Sequence, residues 1–155
     1  MALGGLESSG RSSILRNMKK SLLMLPVLFL LGCNEKQSVF FENLKDGATV
    51  KSPVKIVFGL SGMELQPAAN TEKADCQTCG HHHIIVNYKG GKFIPMGTPI
   101  KDSPKEGFYH YGKAQTEASI DLPPGKHTLM MQFANAAHLS YGQAMAETIT
   151  ITVEK

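Results

Sequence analysis

Sulfur and imidazole side chains are concentrated in one short stretch of the sequence. Cys76 and Cys79 stand at C-x-x-C spacing, and His81, His82 and His83 follow after a single glycine. Two thiolates at this spacing can chelate one ion, and nearby imidazoles could complete a tetrahedral shell for zinc, whereas additional methionine sulfur would suit Cu(I). The stretch therefore predicts a transition metal cofactor, copper or zinc.

The same two cysteines permit a second interpretation. An exported protein meets an oxidising compartment, in which Cys76 and Cys79 could form a structural disulfide instead of a thiolate pair. The sequence leaves these two alternatives open. A c-type haem requires C-x-x-C-H, and Gly80 interrupts that pattern.

The remaining histidines divide into candidate ligands and one structural residue. Neighbouring residues of a strand point to opposite faces, so His81 and His83 should share one side and His82 the other. His110, between two tyrosines, is either a ligand or part of a packed aromatic cluster, and His127 matches the phase of a buried strand face. The predicted ligands are Cys76, Cys79, His81, His83 and His110, with His82, His138 and Met96 as further candidates.

Alternation of apolar and polar residues organises the chain beyond residue 38. It is clearest at Val54–Leu60, Thr116–Leu122, His127–Phe133 and Ile149–Val153, and Val39–Leu44, His83–Tyr88 and Lys92–Pro95 supply three shorter strands. Period two marks strands with one buried face. Residues 39–155 are therefore predicted to form an all-β, immunoglobulin-like antiparallel β-sandwich of about seven strands.

Strand order predicts where the long loops lie. If successive strands alternate in direction, the loops Ser61–His82, Met96–Ala114 and Ala134–Ala146 all emerge at one end of the sandwich. The tight turns at Gly90-Gly91 and Pro123-Pro124-Gly125 then lie at the other end. The loop histidines and both cysteines should therefore meet at a single end.

The first 32 residues have the pattern of a lipoprotein signal peptide, whose true start is Met1 or Met18. Lys19-Lys20 precede the apolar run Leu22–Leu31, which is too short to span a bilayer. Leu30-Leu31-Gly32-Cys33 resembles the bacterial lipobox, which predicts lipidation of Cys33 and a tether over residues 33–38. We therefore expect a lipid-anchored, periplasm-facing protein of the bacterial envelope, and Asn34 favours the outer over the inner membrane.

The charge distribution argues against nucleic acid as a partner. Four of the 16 basic residues and one of the 13 acidic residues precede Gly32, so the rest of the chain carries twelve of each. Nucleic-acid binding requires clustered positive charge that displaces counterions. The expected partners are the membrane, through the lipid anchor, and an envelope protein.

Four motifs resemble an uncharacterised family of small exported bacterial β domains. They are Val39–Pro53, Gly80–His83, His110–Glu117 and Leu122–Leu129. The resemblance covers roughly Val39–Glu154 and implies that His81, His82, His83, His110, Gln115 and Glu117 belong to the family pattern, which adds Gln115 and Glu117 to the candidates. Cys76 and Cys79 do not belong to that pattern. The family implies no mechanism.

Two other functions compete with envelope metal handling or sensing. The first is a non-catalytic envelope interaction module, in which a Cys76–Cys79 disulfide and structural histidines hold the loops. The second is a metal-dependent hydrolase, because a catalytic zinc needs only three protein ligands and one open position. Neither a nucleophile elbow nor an H-E-x-x-H pair is present, so an enzyme is the less favoured interpretation.

Overall fold

The computed structural model describes residues 35–68 and 76–155, and the predicted signal peptide and lipidation site, Cys33, lie outside these residues. The described part is all-β, as predicted. Its strands are β1 (Ser38–Phe41), β2 (Ala48–Val50), β3 (Val54–Ser61), β4 (Glu64–Leu65), β5 (Cys79–Val86), β6 (Phe108–Tyr111), β7 (Glu117–Ile120), β8 (Gly125–Ala134) and β9 (Ala146–Val153). Two short 3-10 turns complete it, at Pro104–Glu106 and Gln143–Met145.

The strands form two sheets that pack face to face. One sheet has the order β1-β3-β7, and the other has the order β2-β9-β8-β5-β4, with β6 also paired to β5. Alternate residues from both sheets, among them Ile56 and Phe58 of β3 and Met131 and Phe133 of β8, fill the space between them. Burying such a side chain contributes about 1.5–3 kcal/mol, so this apolar layer holds the sandwich together.

Three details differ from the sequence prediction. Strand β2 pairs with β9, and β4 with β5, in parallel rather than antiparallel. The structure has no strand at Lys92–Pro95, where Ile94 instead donates its backbone N–H to the Gln132 side chain. Strand β6 lies within the predicted loop Met96–Ala114, because the aromatic run Phe108–Tyr111 suits a pleated strand although it shows no polar alternation.

Strand β5 is buried along its whole length. It pairs with β8 on one side and with β4 and β6 on the other, so both of its edges are covered. Its inner face meets the main core. Its outer face lies under the loop between β5 and β6, whose Ile94 and Ile100 pack on Ile85, Met130 and Ala134. Polar side chains on this strand are therefore held away from water.

Within residues 35–68 and 76–155, no helix has the length and apolar character needed to cross a bilayer.

Candidate metal site

Strand β5 directs its three histidines to two different faces. His82 points into the core, where its ring lies 4.9 Å from Phe58 and 4.9 Å from Phe133. His81 and His83 point to the outer face, and their Nε2 atoms are 3.0 Å apart. All three side chains are fully or almost fully buried. The alternation expected from the sequence is present, and it removes His82 from the outer group.

His110 is brought to the same outer face by strand pairing. Strand β6 runs antiparallel to β5, and His110 lies directly opposite His83 in the register. Its ring centroid is 4.8 Å from that of His81 and 5.0 Å from that of His83. The neighbouring Tyr111 points inward and packs on Phe58. His110 is thus a member of an imidazole group and not of an aromatic core cluster.

His138 joins the group from the loop after β8. Its backbone is left-handed, with φ 62°, a conformation that non-glycine residues seldom adopt outside well-determined turns. The Asn135 side chain fixes this turn by accepting the backbone N–H groups of Ala137 and Leu139. The Nε2 atom of His138 lies 3.2 Å from Nε2 of His110. The Asn135 hydrogen bonds therefore hold the turn in the conformation in which the His138 ring meets His110.

We call His81, His83, His110 and His138 the histidine cluster. One nitrogen from each of His81, His110 and His138 lies within 4.8 Å of the others, which is compatible with ligation of a single ion. A tetrahedral zinc with Zn–N bonds of about 2.0–2.1 Å separates its ligand nitrogens by about 3.3–3.4 Å. The Nε2–Nε2 separation of 3.2 Å between His110 and His138, two of these three residues, is close to this value.

Asp102 is a neighbour of the histidine cluster that the sequence did not reveal. One of its carboxylate oxygens lies 3.6 Å from Nδ1 of His110, on the side of the ring opposite the cluster. A carboxylate behind a ligating histidine fixes the tautomer and leaves the other nitrogen free for the metal. Asp102 reaches this position because Ile100 donates its backbone N–H to the carbonyl of His138, which joins two loops remote in sequence. The spacing of residues along the sequence does not predict such a contact between two loops.

Lowered pKa values keep three rings of the cluster, those of His81, His83 and His110, neutral at neutral pH. Burial, and after it the nearby imidazoles of His110, His138 and His82, lowers the pKa of His81 to about 3. Burial and the neighbouring histidines depress the pKa of His83 in the same way. The pKa of His110 is also lowered, by burial and then by His138, while Asp102 opposes the shift. Neutral imidazole is the form that binds metals.

The buried rings carry unpartnered nitrogen atoms. Among the described residues, Nδ1 of His81, His82 and His83 has no hydrogen-bond partner. The facing Nε2 atoms of His81 and His83 can share only one proton, so one of these rings must carry a proton on an unpartnered Nδ1. Such groups destabilise the fold by about 1–3 kcal/mol each, and their presence is typical of functional sites.

The cysteines are bonded to each other. Cys76 and Cys79 form a disulfide, which is the alternative to thiolate ligation that the sequence left open. Their sulfurs therefore offer no thiolates, and the predicted Cys/His ligand set is corrected to histidine alone. The hydroxyl of Tyr141 donates to the carbonyls of Cys79 and Cys76, at 2.7 and 3.2 Å. This ties the disulfide to the loop that carries His138.

The other candidate ligands lie apart from the cluster or on its border. Met96 is 76% exposed, and its side chain lies against Gly142. Gln115 accepts the backbone N–H of Lys113 and lines a cleft beside His110. Glu117 lies on β7 in the other sheet, where it pairs with Val57. Glu117 does not belong to the group of donors that could share an ion.

His127 has the structural role expected from its strand position. It is 8% exposed, its Nε2 donates to the carbonyl of Pro123 at 2.9 Å, and its Nδ1 accepts from the Asn87 amide at 3.1 Å. Both ring nitrogens are thereby satisfied without a metal. This separates it from His81 and His83, whose Nδ1 atoms have no partner.

Comparison with known proteins gives a family and no activity. Neither the curated proteins nor the solved structures contain a match to this chain. A domain family of unknown function, DUF4399, matches residues 56–154. The match includes His81, His83, His110 and His138, and it includes three of the four motifs quoted above, while Val39–Pro53 precedes it. The chain belongs to the DUF4399 family.

Proposed function

We propose that this protein is a lipid-anchored envelope protein that binds a divalent transition metal, zinc or copper, for metal handling or sensing. One observation carries the proposal. His81, His110 and His138 come from β5, β6 and the loop after β8, yet they offer ligand nitrogens within 4.8 Å of one another. Imidazole is the commonest metal-ligand side chain in proteins, and this group is buried on one side.

The donor set favours Zn(II) or Cu(II) over Cu(I). Imidazole nitrogen suits zinc and copper(II), whereas Cu(I) prefers thiolate and thioether sulfur. The disulfide removes both thiolates, and Met96 extends into solvent. The lowered pKa values of His81 and His110 leave the nitrogen lone pairs of these two rings available at neutral pH.

The export part of the proposal is supported by the leader and by the disulfide. Lys19-Lys20, the apolar run Leu22–Leu31 and Gly32-Cys33 form the lipobox pattern. A disulfide persists in oxidising compartments such as the bacterial periplasm and is rare in the cytosol. Acyl chains on Cys33 would hold the domain at a membrane surface, because each buried methylene contributes about 0.8 kcal/mol.

Metal analysis of the exported full-length product tests the ligand assignment. The product should contain close to one equivalent of zinc or copper after dialysis. The variant H81A with H138A should lose it, because two of three nitrogens are gone. The matched control is His127→Gln, which removes a histidine at the far end and should retain the metal. Equal, substoichiometric metal in all three proteins would refute metal binding.

Fractionation of cells tests the anchor separately. The wild-type protein should remain with the membranes and show the mass of a lipid-modified N-terminus at Cys33. Cys33→Ser should abolish both properties. A wild-type chain that is soluble and unmodified would refute the anchor and leave the metal site untouched.

A second candidate function is supported by the disulfide itself. The Cys76–Cys79 bond and the Tyr141 hydrogen bonds tie the start of β5 to the loop before β9, as expected for a non-catalytic envelope interaction module. In that case the histidines would only hold the loops together. The two functions are distinguished by the metal content of the wild type, which is near zero for the module.

A further inference from the structure

A cleft of about 320 Å³ opens beside the histidine cluster. It is lined by Ala68, His110, Gly112, Lys113 and Gln115. His81 and His83 close the sheet side of the cluster completely, whereas about 20% of the His110 side chain is exposed. An ion held by the cluster would therefore be approachable from the side of His110 and His138, the two partly exposed members of the triad, and not from the side of the buried His81.

The charge of the site determines which ligands it favours. Three neutral imidazoles do not reduce the double positive charge of a bound ion, so the remaining coordination position attracts an anion. Lys113 places a further positive charge on the wall of the same cleft. The carboxylate of Asp102 approaches Nδ1 of His110, and Asp102 is not among the residues that line the cleft.

The cleft has room for more than solvent. One water molecule occupies about 30 Å³ of liquid, so the cleft can hold an organic anion of several heavy atoms. Gly112 lets the His110 ring approach its backbone at the wall of this cleft, because a Cβ at that position would overlap the Cε1 and Nε2 atoms of His110.

From these observations we infer that the cleft admits a small carboxylate or inorganic anion as an exogenous ligand of the bound metal. The inference rests on the proposed function. The exchange involves no redox change: the anion donates a lone pair to the metal while the bond from the metal to a water molecule breaks. His81, His110 and His138 remain the protein ligands.

Azide and acetate titrations of the Cu(II)-loaded full-length product test the inference. Azide should produce a saturable charge-transfer absorption, and acetate should compete with it. Lys113→Gln should weaken azide binding by about threefold, as expected for one partly exposed charge, without changing Cu(II) affinity. The matched control is Lys105→Gln, in the 3-10 turn Pro104–Glu106, which should change neither.

The outcomes separate this inference from the proposed function. Stoichiometric Cu(II) with no azide response would overturn the inference alone, because it would mean that His83 completes the coordination shell. An azide response that appears only in His83→Ala would likewise show that His83 occupies the remaining coordination position in the wild type, and would overturn the inference. Equal azide affinities of the Lys113→Gln and wild-type proteins would show that the anion does not bind in this cleft, and would overturn the inference. A chain that binds no Cu(II) would overturn both proposals.

Discussion

The Nε2 atoms of His110 and His138 lie 3.2 Å apart, although one ring stands on β6 and the other on a loop that follows β8. Two neutral imidazoles at this distance share a single proton, so one ring donates and the other accepts. The Asp102 carboxylate at Nδ1 of His110 favours the tautomer whose Nε2 is the acceptor. The lone pair of His110 is thereby directed into the cluster.

Asp102→Asn tests this orientation. We expect metal affinity to fall by about 10–100-fold, as is usual when the outer partner of a ligating histidine is lost. Nitrogen NMR of the metal-free protein should also show His110 shifting from the Nδ1–H tautomer toward a mixture. Asp121→Asn, an exposed aspartate after β7, is the matched control. Unchanged affinity and an unchanged tautomer in Asp102→Asn would contradict the assignment.

Gly112→Ala should disable the metal site by displacing one ring. The added Cβ would overlap Cε1 and Nε2 of His110, so this ring must rotate away from His81 and His138. Calorimetry should show metal affinity reduced at least tenfold. The matched control is Gly59→Ala, whose Cβ would overlap the partly exposed ring of Phe40 on the other sheet. If both variants bind metal as the wild type does, His110 is not a ligand.

Acid should destabilise the metal-free fold through its buried histidines. Burial lowers the pKa of His82 to about 4 and that of His81 to about 3, below the ordinary value of 6.5. As pH falls below 6.5, the unfolded chain binds protons that the folded chain does not, so stability present above pH 6.5 is lost toward the folded-state pKa values. Each such histidine contributes a slope of about 1.4 kcal/mol per pH unit.

Urea unfolding between pH 7 and pH 5 measures that slope. The variant His82→Phe replaces an imidazole that packs between Phe58 and Phe133 with an apolar ring. It should reduce the pH dependence by the contribution of one histidine and leave metal binding intact. A slope equal to that of the wild type would show that the pKa of His82 is not lowered in the folded state.

Removal of the disulfide should affect stability more than metal binding. The Cys76→Ser, Cys79→Ser variant lacks both sulfurs, but the ligand set consists of imidazoles. Closure of so short a loop contributes about 2 kcal/mol in the chain-entropy description. We therefore expect a lower thermal midpoint and a metal affinity within about threefold of the wild type. If the variant loses as much metal as H81A with H138A does, Cys76 and Cys79 take part in metal binding, which would contradict the histidine ligand set.

The sequence predicted the sandwich because its information is local. The alternation at Val54–Leu60 and at His127–Phe133 reports which side of a strand is buried, and the strands lie where that pattern stands. The same periodicity predicted that His82 faces away from His81 and His83, and that His127 is structural. It failed at Lys92–Pro95 and at β6, where pairing partners rather than local pattern decide the conformation.

The composition of the histidine cluster was decided by tertiary structure. Sequence could name His81, His83, His110 and His138 as candidates, but the redox state of Cys76 and Cys79 depends on two sulfurs meeting in space. The contact of Asp102 with His110 depends on backbone hydrogen bonds between two loops. Periodicity within one strand carries no information on contacts between segments far apart in the chain. Packing and pairing of those segments determine which donors meet, and only the folded chain has that information.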